Sequence, residues 1–404
     1  MQQNKTTMYK MMAVFASTYI ALSMSFVVIM PYLQYLELTK SQQGWFMAGG
    51  SLVSILGQMT VGFLCDRFRT LRKTNYAITF ALGLVCWTFY SLNKSLLLLV
   101  LVVGSLIQAL FTITNGVLDS WALEVNDYCK DNYGAIRAFG AIGWIIGGPI
   151  VHWVQKNYGF SYLGLAYLAF IVLAWIIAYL TPDAEKLQTE NSTEKLQLRD
   201  IRMLLTNSRY VILILTFFAI FFIFRSDGSL TIWKIGELAA NQDDYSKWVS
   251  YRSSFQALFE LPSFFLGAYL MKRFGNIKLL IIAICACMLR GVINILATEP
   301  LHILLASSLQ LLTFPLINMT SKALVHLEIP DNMKSSGQQF ALSVYSSGAA
   351  LLSPIVIGYL SEKLGINVSL TIVVALAVIP LALCFVYQKM RAGYDSQFSK
   401  INTD

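Results

Sequence analysis

Long runs of apolar residues, separated by short polar stretches, dominate the pattern of this chain of 404 residues. The clearest continuous runs cover residues 11–33, 98–118, 163–181, 210–224 and 367–388. A helix needs about 20 apolar residues to cross the hydrocarbon core of a bilayer, and a soluble domain rarely needs more than one such run. The pattern therefore predicts an all-α polytopic membrane protein.

Dividing the apolar runs at clusters of charged and turn-forming residues gives twelve predicted transmembrane helices. They cover residues 10–35, 44–65, 75–93, 96–124, 135–155, 160–181, 209–236, 248–271, 278–297, 300–326, 336–360 and 366–389. The one long polar stretch, 182–207, follows the sixth helix. We therefore predict two pseudo-symmetric six-helix bundles, 1–181 and 209–390, with a cytoplasmic linker at 182–208 and a cytoplasmic tail at 391–404.

Composition agrees with this class of protein. Hydrophobic residues make up 56% of the chain and charged residues 13%, whereas a soluble domain is about a quarter charged. The formal net charge of +8 fits an excess of Lys and Arg in cytoplasmic loops, and we favour that interpretation over nucleic-acid binding. The six cysteines include no Cys-x-x-Cys pair, so neither a disulfide framework nor a zinc site is predicted.

Basic residues cluster after the second and the eighth predicted helices; they are Arg67, Arg69, Arg72 and Lys73, and then Lys272, Arg273 and Lys278. Because cytoplasmic loops carry such an excess, we expect both termini to face the cytoplasm and the protein to lie in the plasma membrane. The first apolar run is too long for a signal-peptide core, so we expect it to be retained as the first span. A monomer surrounded by lipid is the expected state.

The two predicted bundles repeat weakly in sequence. The stretch from Asn115 to Gly134 is repeated weakly in the second bundle, where Asn318, Lys322 and Gly337 occur at the same spacing as Asn115, Asp119 and Gly134. Parallel six-helix repeats are how one large class of secondary transporters is built. The repeat therefore favours a transporter over a receptor or a channel.

Some ionisable side chains fall inside predicted spans, where they are costly and functional by default. They are Asp119, Arg137, Arg225, Asp227, Glu260, Arg290 and Lys322. Asp119 and Arg137 lie equally far from a turn near residue 128, and Glu260 and Arg290 lie equally far from a turn near residue 275. Because the helical rise per residue is fixed, the members of each pair are expected at the same depth.

Asp119 and Arg137 are the predicted substrate-binding pair, together with Asn115 and Trp144. Asn115 shares a helical stripe with Asp119, and Trp144 shares one with Arg137. A carboxylate and a guanidinium bind hydroxyl groups through charge-assisted hydrogen bonds, and an indole supplies a flat apolar platform. The set suits a sugar ring or a nucleoside. Two structural alternatives stay open: an ion pair that only locks the hairpin, and a tryptophan used in packing.

Two further pairs also allow a functional and a structural interpretation. Glu260 and Arg290 either couple a proton to transport or form a structural pair, since Glu260 precedes Pro262 and can satisfy backbone groups freed by a kink. Asp66 and Arg67 either hold a cytoplasmic gate closed or are ordinary residues of a positive cytoplasmic loop.

Motifs of soluble enzymes are missing from the sequence. It contains no GxxxxGK[ST], no GxSxG and no HExxH, and it has three histidines. We therefore expect no enzymatic activity, no metal and no cofactor, with a proton gradient as the energy source.

Two segments resemble a known family. Gly62-Phe-Leu-Cys-Asp66-Arg67 looks like the loop after the second helix of the major facilitator superfamily, although Arg69 stands where that family usually has glycine. The stretch 133–144, Tyr-Gly-Ala-Ile-Arg-Ala-Phe-Gly-Ala-Ile-Gly-Trp, resembles the start of helix five in lactose permease and its relatives among oligosaccharide and nucleoside proton symporters.

This resemblance implies roles for several residues. Asp119, Arg137 and Trp144 fall on the family's sugar-binding carboxylate, its partner arginine and its stacking tryptophan, and Arg290 matches an arginine used in proton coupling. The His and Glu of helix ten in lactose permease fall on Gln310 and Thr313, neither of which titrates. We therefore expect Glu260, held near Arg290, to carry the proton.

The sequence thus predicts a secondary active transporter that works by alternating access, as a proton-coupled symporter of a small polar solute such as a sugar or oligosaccharide. The alternatives within transport are a symporter of a nucleoside or small organic solute and a drug or metabolite exporter. A non-transporting sensor and a lipid-modifying enzyme are less favoured, for want of a signalling domain in the tail and of a catalytic constellation.

Overall fold

The computed structural model describes residues 2–68, 70–184, 198–330 and 333–401, and the regular elements in these ranges are helices. The N-terminal helices are α1 (Gln2–Phe26), α2 (Ile29–Tyr35), α3 (Lys40–Phe68), α4 (Leu71–Tyr90), α5 (Leu97–Glu124), α6 (Asp127–Asp131), α7 (Tyr133–Tyr158) and α8 (Tyr162–Tyr179). After α9 (Leu198–Thr206), the C-terminal helices are α10 (Ser208–Leu238), α11 (Gln242–Phe274), α12 (Asn276–Leu296), α13 (Pro300–Ala306), α14 (Phe314–Leu327), α15 (Lys334–Leu342), α16 (Gly348–Leu364), α17 (Ile366–Leu376) and α18 (Val378–Ile401).

Within the described ranges, nine segments are long and apolar enough to cross a membrane, which makes this a multi-pass membrane protein. They are Asn4–Tyr35, Lys94–Glu124, Tyr133–Tyr158, Tyr162–Tyr179, Ser208–Leu238, Asn276–Leu296, Pro300–Leu327, Gly337–Leu364 and Ile366–Arg391. The predicted spans 44–65, 75–93 and 248–271 are helical as α3, α4 and α11 but are not among the nine. The low apolarity of α11 has a clear cause, because its charged and amide side chains line internal cavities.

Some predicted spans are broken into two shorter helices. The predicted helix at 300–326 is interrupted by a 3-10 segment, Ser307–Leu312, and α14 then begins with Pro315 in its first turn. Proline has no backbone N–H and clashes with the carbonyl four residues earlier, so a continuous α-helix is interrupted there. The predicted helix at 336–360 contains a π-helical turn at Ser343–Ser347.

Local sequence explains where the long helices begin and end. The side chains of Asn207 and Asn241 accept hydrogen bonds from backbone N–H groups in the first turns of α10 and α11, which satisfies donors that the helix itself leaves unpaired. Helices α7, α11 and α16 end at Gly159, Gly275 and Gly365, whose φ angles of 87°, 79° and 84° favour glycine. Each of these ends therefore turns sharply into the next helix.

The buried hydrophobic residues form two large clusters that divide at the polar centre of the sequence. One cluster contains residues from Met8 to Ala184, and the other contains residues from Leu204 to Tyr387. A third, small cluster joins the end of α10, the first turns of α11, the end of α12, and α13; it contains Ile235, Tyr245, Val249, Ala297 and Ile303. The N-terminal helices and the C-terminal helices thus each bury apolar side chains among themselves.

The two groups of helices meet where α7 packs against α11 and α3 packs against α16. The backbones come into close contact at the end where α3 begins. A Cβ atom on Gly44 would lie 2.2 Å from the carbonyl oxygen of Pro354, and one on Gly358 would lie 2.7 Å from that of Lys40. At the same end Lys40 Nζ is 3.0 Å from Glu237 Oε1, and Gln242 donates to the Pro31 carbonyl at 2.7 Å. The structure is therefore closed at this end.

Gly44→Ala is expected to weaken this closure. The added methyl group must push α3 away from the α16 backbone, and such overpacking costs about 1–3 kcal/mol. Hydrogen exchange of peptides from the start of α3 and the end of α16 should become faster, while peptides from α8 should be unchanged. Gly116→Ala is the matched control, because a Cβ there meets nothing within 4 Å. Equal protection in both variants would contradict this close approach.

Candidate functional site

A cavity of about 470 Å³ lies between helices α1, α5 and α7 on one side and α11 on the other. Its lining combines aromatic rings with charged, amide and hydroxyl groups: Tyr19, Phe111, Thr112, Asn115, Arg137, Ala141, Trp144, Ser253, Gln256, Ala257, Glu260 and Gln310. An aromatic wall with a few convergent polar groups is typical of a site for a small molecule.

The structure brings Asp119 and Arg137 together, as the hairpin geometry predicted. Arg137 Nε lies 3.7 Å from Asp119 Oδ1, and the two side chains are 26% and 35% exposed. This separation makes an ion pair but is too long for a hydrogen bond. The guanidinium also lies 4.8 Å from the ring centroid of Tyr19. Of the two partners, it is Arg137 that lines the cavity.

Trp144 lies at the boundary between the two groups of helices. Its indole Nε1 donates to Ser253 Oγ on α11 at 2.7 Å. Its ring stands edge-on to Tyr19 and to Phe111, with centroid distances of 6.4 and 5.8 Å. The indole therefore has a structural partner across the boundary and still forms part of the cavity wall.

Asn115 lines the cavity, but its side chain is already engaged. Its amide nitrogen donates to the Phe111 carbonyl at 2.7 Å, and its amide oxygen accepts from the Tyr19 hydroxyl. Tyr19, which holds Asn115 and stacks against Arg137, is not predicted from the sequence. No local signal identifies it, because it lies inside the apolar run of the first helix.

The predicted pairing of Glu260 with Arg290 is wrong in this structure. Glu260 lines the same cavity as Arg137 and interacts electrostatically with it. Arg290 Nη2 lies instead 2.6 Å from Asp227 Oδ2. Hairpin geometry gives the depth of a residue but not the direction in which its side chain points, and Arg290 points toward α10.

The Asp227–Arg290 pair belongs to a buried polar network. Asn294 Nδ2 donates to Asp227 Oδ1 and to Thr231 Oγ1, each at 3.0 Å, and Arg290 Nη1 donates to Gln310 Oε1 at 3.0 Å. Asp227 is 4% exposed and Arg290 is 2% exposed. Gln310 lines the cavity beside Glu260 and is therefore the link between this network and the cavity.

A second cavity of about 580 Å³ adjoins the first and shares four lining residues with it: Phe111, Thr112, Gln256 and Gln310. It extends along α10 and α11 and reaches α16 at Pro354. Gln256, which lines both cavities, was not among the predicted site residues. It lies one turn from Glu260 on the same face of α11, and this spacing is the sequence signal that could have indicated it.

The proposed gate residues, Asp66 and Arg67, lie outside the described side chains. The neighbouring Arg72 is described, and its guanidinium donates to the carbonyls of Tyr179 at 3.3 Å and Thr181 at 3.2 Å. Within the described residues, no group of His, Cys, Asp and Glu is arranged to hold a metal ion.

Comparison with known proteins agrees on one fold. A model of the MFS_1 like family matches residues 7–353. Sugar efflux transporter A of Escherichia coli (strain K12) is 25% identical over 183 residues, which are 44% of this chain and 43% of that protein. The match thus covers less than half of the length of this curated relative.

Two solved structures share the fold across nearly the whole chain. A mutant form of the nucleoside transporter NupG superimposes with a TM-score of 0.79 at 13% identity, over 95% of this chain and 99% of that one. A second NupG structure gives a TM-score of 0.72 at 17% identity, over 95% and 98% of the two chains.

Proposed function

Because the chain belongs to the MFS_1 like family, we propose that it is a secondary active transporter that moves a small hydroxylated solute, a sugar or oligosaccharide, by proton-coupled symport. The relatives named above include a sugar efflux transporter and a nucleoside transporter. A nucleoside as the solute, and export in place of uptake, are therefore the alternatives that the experiment must separate.

The proposed architecture has twelve transmembrane helices in two pseudo-symmetric bundles, residues 1–181 and 209–390. The two separate clusters of buried hydrophobic residues support this division. We place the protein in the plasma membrane as a monomer. Its cytoplasmic parts are then the linker at 182–208, the tail at 391–404 and both termini. Asp66 and Arg67 belong to a gate at the cytoplasmic end.

The observation that carries the proposal is the cavity between the two bundles, lined by Arg137, Glu260 and Trp144. The bundles are in close contact at the end where α3 begins. Rocking of one bundle against the other around a fixed site is the motion by which transporters of this design alternate their access. Solute then binds between α7 and α11, whose packing must change during that motion.

In this mechanism Arg137 is shared between Asp119, Glu260 and the solute. It pairs with Asp119 and is attracted by Glu260. Protonation of Glu260 removes one of these attractions and lets the guanidinium donate to solute hydroxyls, while Trp144 supplies the apolar face of the site. Arg290 contributes through Gln310, which it holds beside Glu260. Binding of the proton and of the solute are thereby coupled, and no cofactor is required.

Glu260→Gln is expected to abolish accumulation of solute against its gradient, because glutamine neither binds nor releases a proton. Exchange of labelled for unlabelled solute should continue, since the cavity keeps its polar lining. The assay is uptake of radiolabelled lactose, sucrose and uridine into proteoliposomes with an imposed pH gradient, in both orientations of the gradient to separate uptake from export.

Glu299→Gln serves as the control, because Glu299 is an exposed residue at the start of α13. It should accumulate solute as the parent does. Active accumulation of solute by Glu260→Gln would exclude Glu260 as the proton carrier. If the parent protein exchanged none of the three solutes, the proposed substrate class would be excluded.

A further inference from the structure

The second cavity has an excess of positive charge among its lining residues. Three arginines line it, Arg225, Arg252 and Arg290, and neither aspartate nor glutamate is among its lining residues. Asp227 pairs with Arg290. Within the described part of the chain, Arg225 and Arg252 form no ion pair. Two guanidinium groups thus face one internal cavity without an ion-pair partner of their own among the described residues.

Arg252 is the more informative of the two, because it is 5% exposed and its Nε has no hydrogen-bond partner among the described residues. Its electrostatic neighbours are Arg290, which repels it, and Asp227, which attracts it. That carboxylate is already engaged by Arg290 at 2.6 Å and by Asn294 at 3.0 Å. An unpaired buried charge is costly, and in a membrane protein such a group marks a site of function.

The neutral residues around these arginines suit an anion. Serine hydroxyls contribute to the lining, at Ser51, Ser54, Ser229, Ser346 and Ser347. Those of Ser51 and Ser54 already donate to backbone carbonyls, so Ser229, Ser346 and Ser347 are the donors that face the cavity. A guanidinium presents its donors as a planar fork that matches the oxygens of a carboxylate or a phosphate. The chemistry of this cavity is therefore that of an anion-binding site.

The anion-binding cavity is continuous with the cavity that contains Arg137 and Glu260. Arg252, Gln256 and Glu260 lie on one face of α11, and Gln256 lines both cavities. The axial distance from Arg252 to Glu260 is about 12 Å at the helical rise of 1.5 Å per residue. A solute in the shared space therefore lies between the two sites, with its hydroxylated ring toward Arg137 and its anionic group toward Arg252.

We propose that Arg225 and Arg252 form a subsite for a carboxylate or phosphate group on the transported solute, so that the preferred substrate is a sugar acid or a phosphorylated sugar. This inference rests on the proposed transport function and narrows its substrate class. Arg252 is the buried anchor, and Arg225, which is exposed toward the cavity, closes on the anion from α10.

The test is the affinity of the purified protein for D-glucuronate, D-glucose 6-phosphate and D-glucose, measured by calorimetry or by thermal stabilisation. One anionic probe should bind about tenfold or more tightly than glucose, since a hydrogen bond to a charged group contributes enough for that factor. Glucuronate and glucose 6-phosphate distinguish a carboxylate from a phosphate as the preferred group. Arg252→Gln should remove the preference, whereas Arg273→Gln, at the end of α11 beyond the cavity, should keep it.

Ligand-free Arg252→Gln should be at least as thermostable as the parent, because the substitution removes an unpaired buried charge. If that variant does not fold, Arg225→Gln, whose side chain is exposed to the cavity, provides the same test. Equal affinity for glucose and for both anionic probes, no binding of either anion, or a preference that survives both substitutions would each overturn the subsite.

Transport assays separate this inference from the function on which it rests. Accumulation of neutral lactose, without any preference for anionic solutes, would support the proposed transport function and overturn the proposed subsite. Conversely, Arg252-dependent binding of an anion, with no accumulation of any solute in proteoliposomes, would support the subsite and overturn the proposed transport function.

Discussion

Arg137→Gln is expected to abolish accumulation of solute, and Arg137→Lys to lower solute affinity by about tenfold or more. The guanidinium lines the cavity, lies 3.7 Å from Asp119 and stacks at 4.8 Å on the ring of Tyr19. Lysine keeps the charge but loses the planar fork and the stacking, so it does not replace arginine at such a site. Solute binding by calorimetry and uptake into proteoliposomes measure the two effects.

A substitution of the other partner, Asp119→Asn, decides whether the pair is functional or only locks the hairpin. The two side chains are 26% and 35% exposed, and a partly exposed pair without a hydrogen bond contributes little to stability, at most about 1 kcal/mol. The thermal midpoint of Asp119→Asn should therefore change little while its solute affinity falls. A structural pair predicts the opposite result, a lower midpoint with unchanged affinity.

Arg273→Lys is the matched control for these substitutions. Arg273 lies in the last turn of α11, where it contacts Tyr269 and Phe274 and not the cavity. Its replacement should leave both affinity and accumulation unchanged. Full accumulation by Arg137→Gln would exclude the proposed site.

Asp227→Asn is expected to cost about 3–5 kcal/mol of stability, the largest effect of any single substitution considered. Asp227 and Arg290 are 4% and 2% exposed and lie 2.6 Å apart. Removing one charge leaves the other buried without its partner, which is far more costly than losing an exposed pair. The thermal midpoint in detergent and the yield of folded protein should both fall sharply.

The double variant Asp227→Asn with Arg290→Gln is expected to recover most of that loss, because no unpaired charge then remains at this position. The exposed pair of Glu37 and Lys94 provides the comparison, since its side chains are 74% and 61% exposed; Glu37→Gln should have no measurable effect on the midpoint. A double variant that is less stable than the single one would show that the pair contributes through its hydrogen bonds to Asn294 and Gln310 and not through charge compensation.

The sequence by itself determined the membrane class, the location of most helices and the proximity of one charged pair, Asp119 and Arg137. Apolar runs are local, so a helix that faces lipid is recognised from its own residues; α11, whose charged and amide side chains line the cavities, is an exception. The helical rise is also fixed, so the positions of Asp119 and Arg137 on either side of one turn were enough to place them together. The interruption before Pro315 was not predicted, because a proline alone does not indicate a break: Pro149, Pro262 and Pro354 lie inside α-helices that continue past them.

Only the tertiary structure decided which side chains share a cavity. Hairpin geometry predicted that Glu260 and Arg290 lie at the same depth, but the rotation of α11 and α12 about their axes directs Glu260 into the cavity that Arg137 lines and Arg290 to Asp227. The sequence likewise indicates no partner for Tyr19 and no common cavity for Arg225 and Arg252. Rotation and partner choice depend on how helices far apart in sequence pack together, because each side chain takes the nearest group that compensates its charge or its hydrogen bonds.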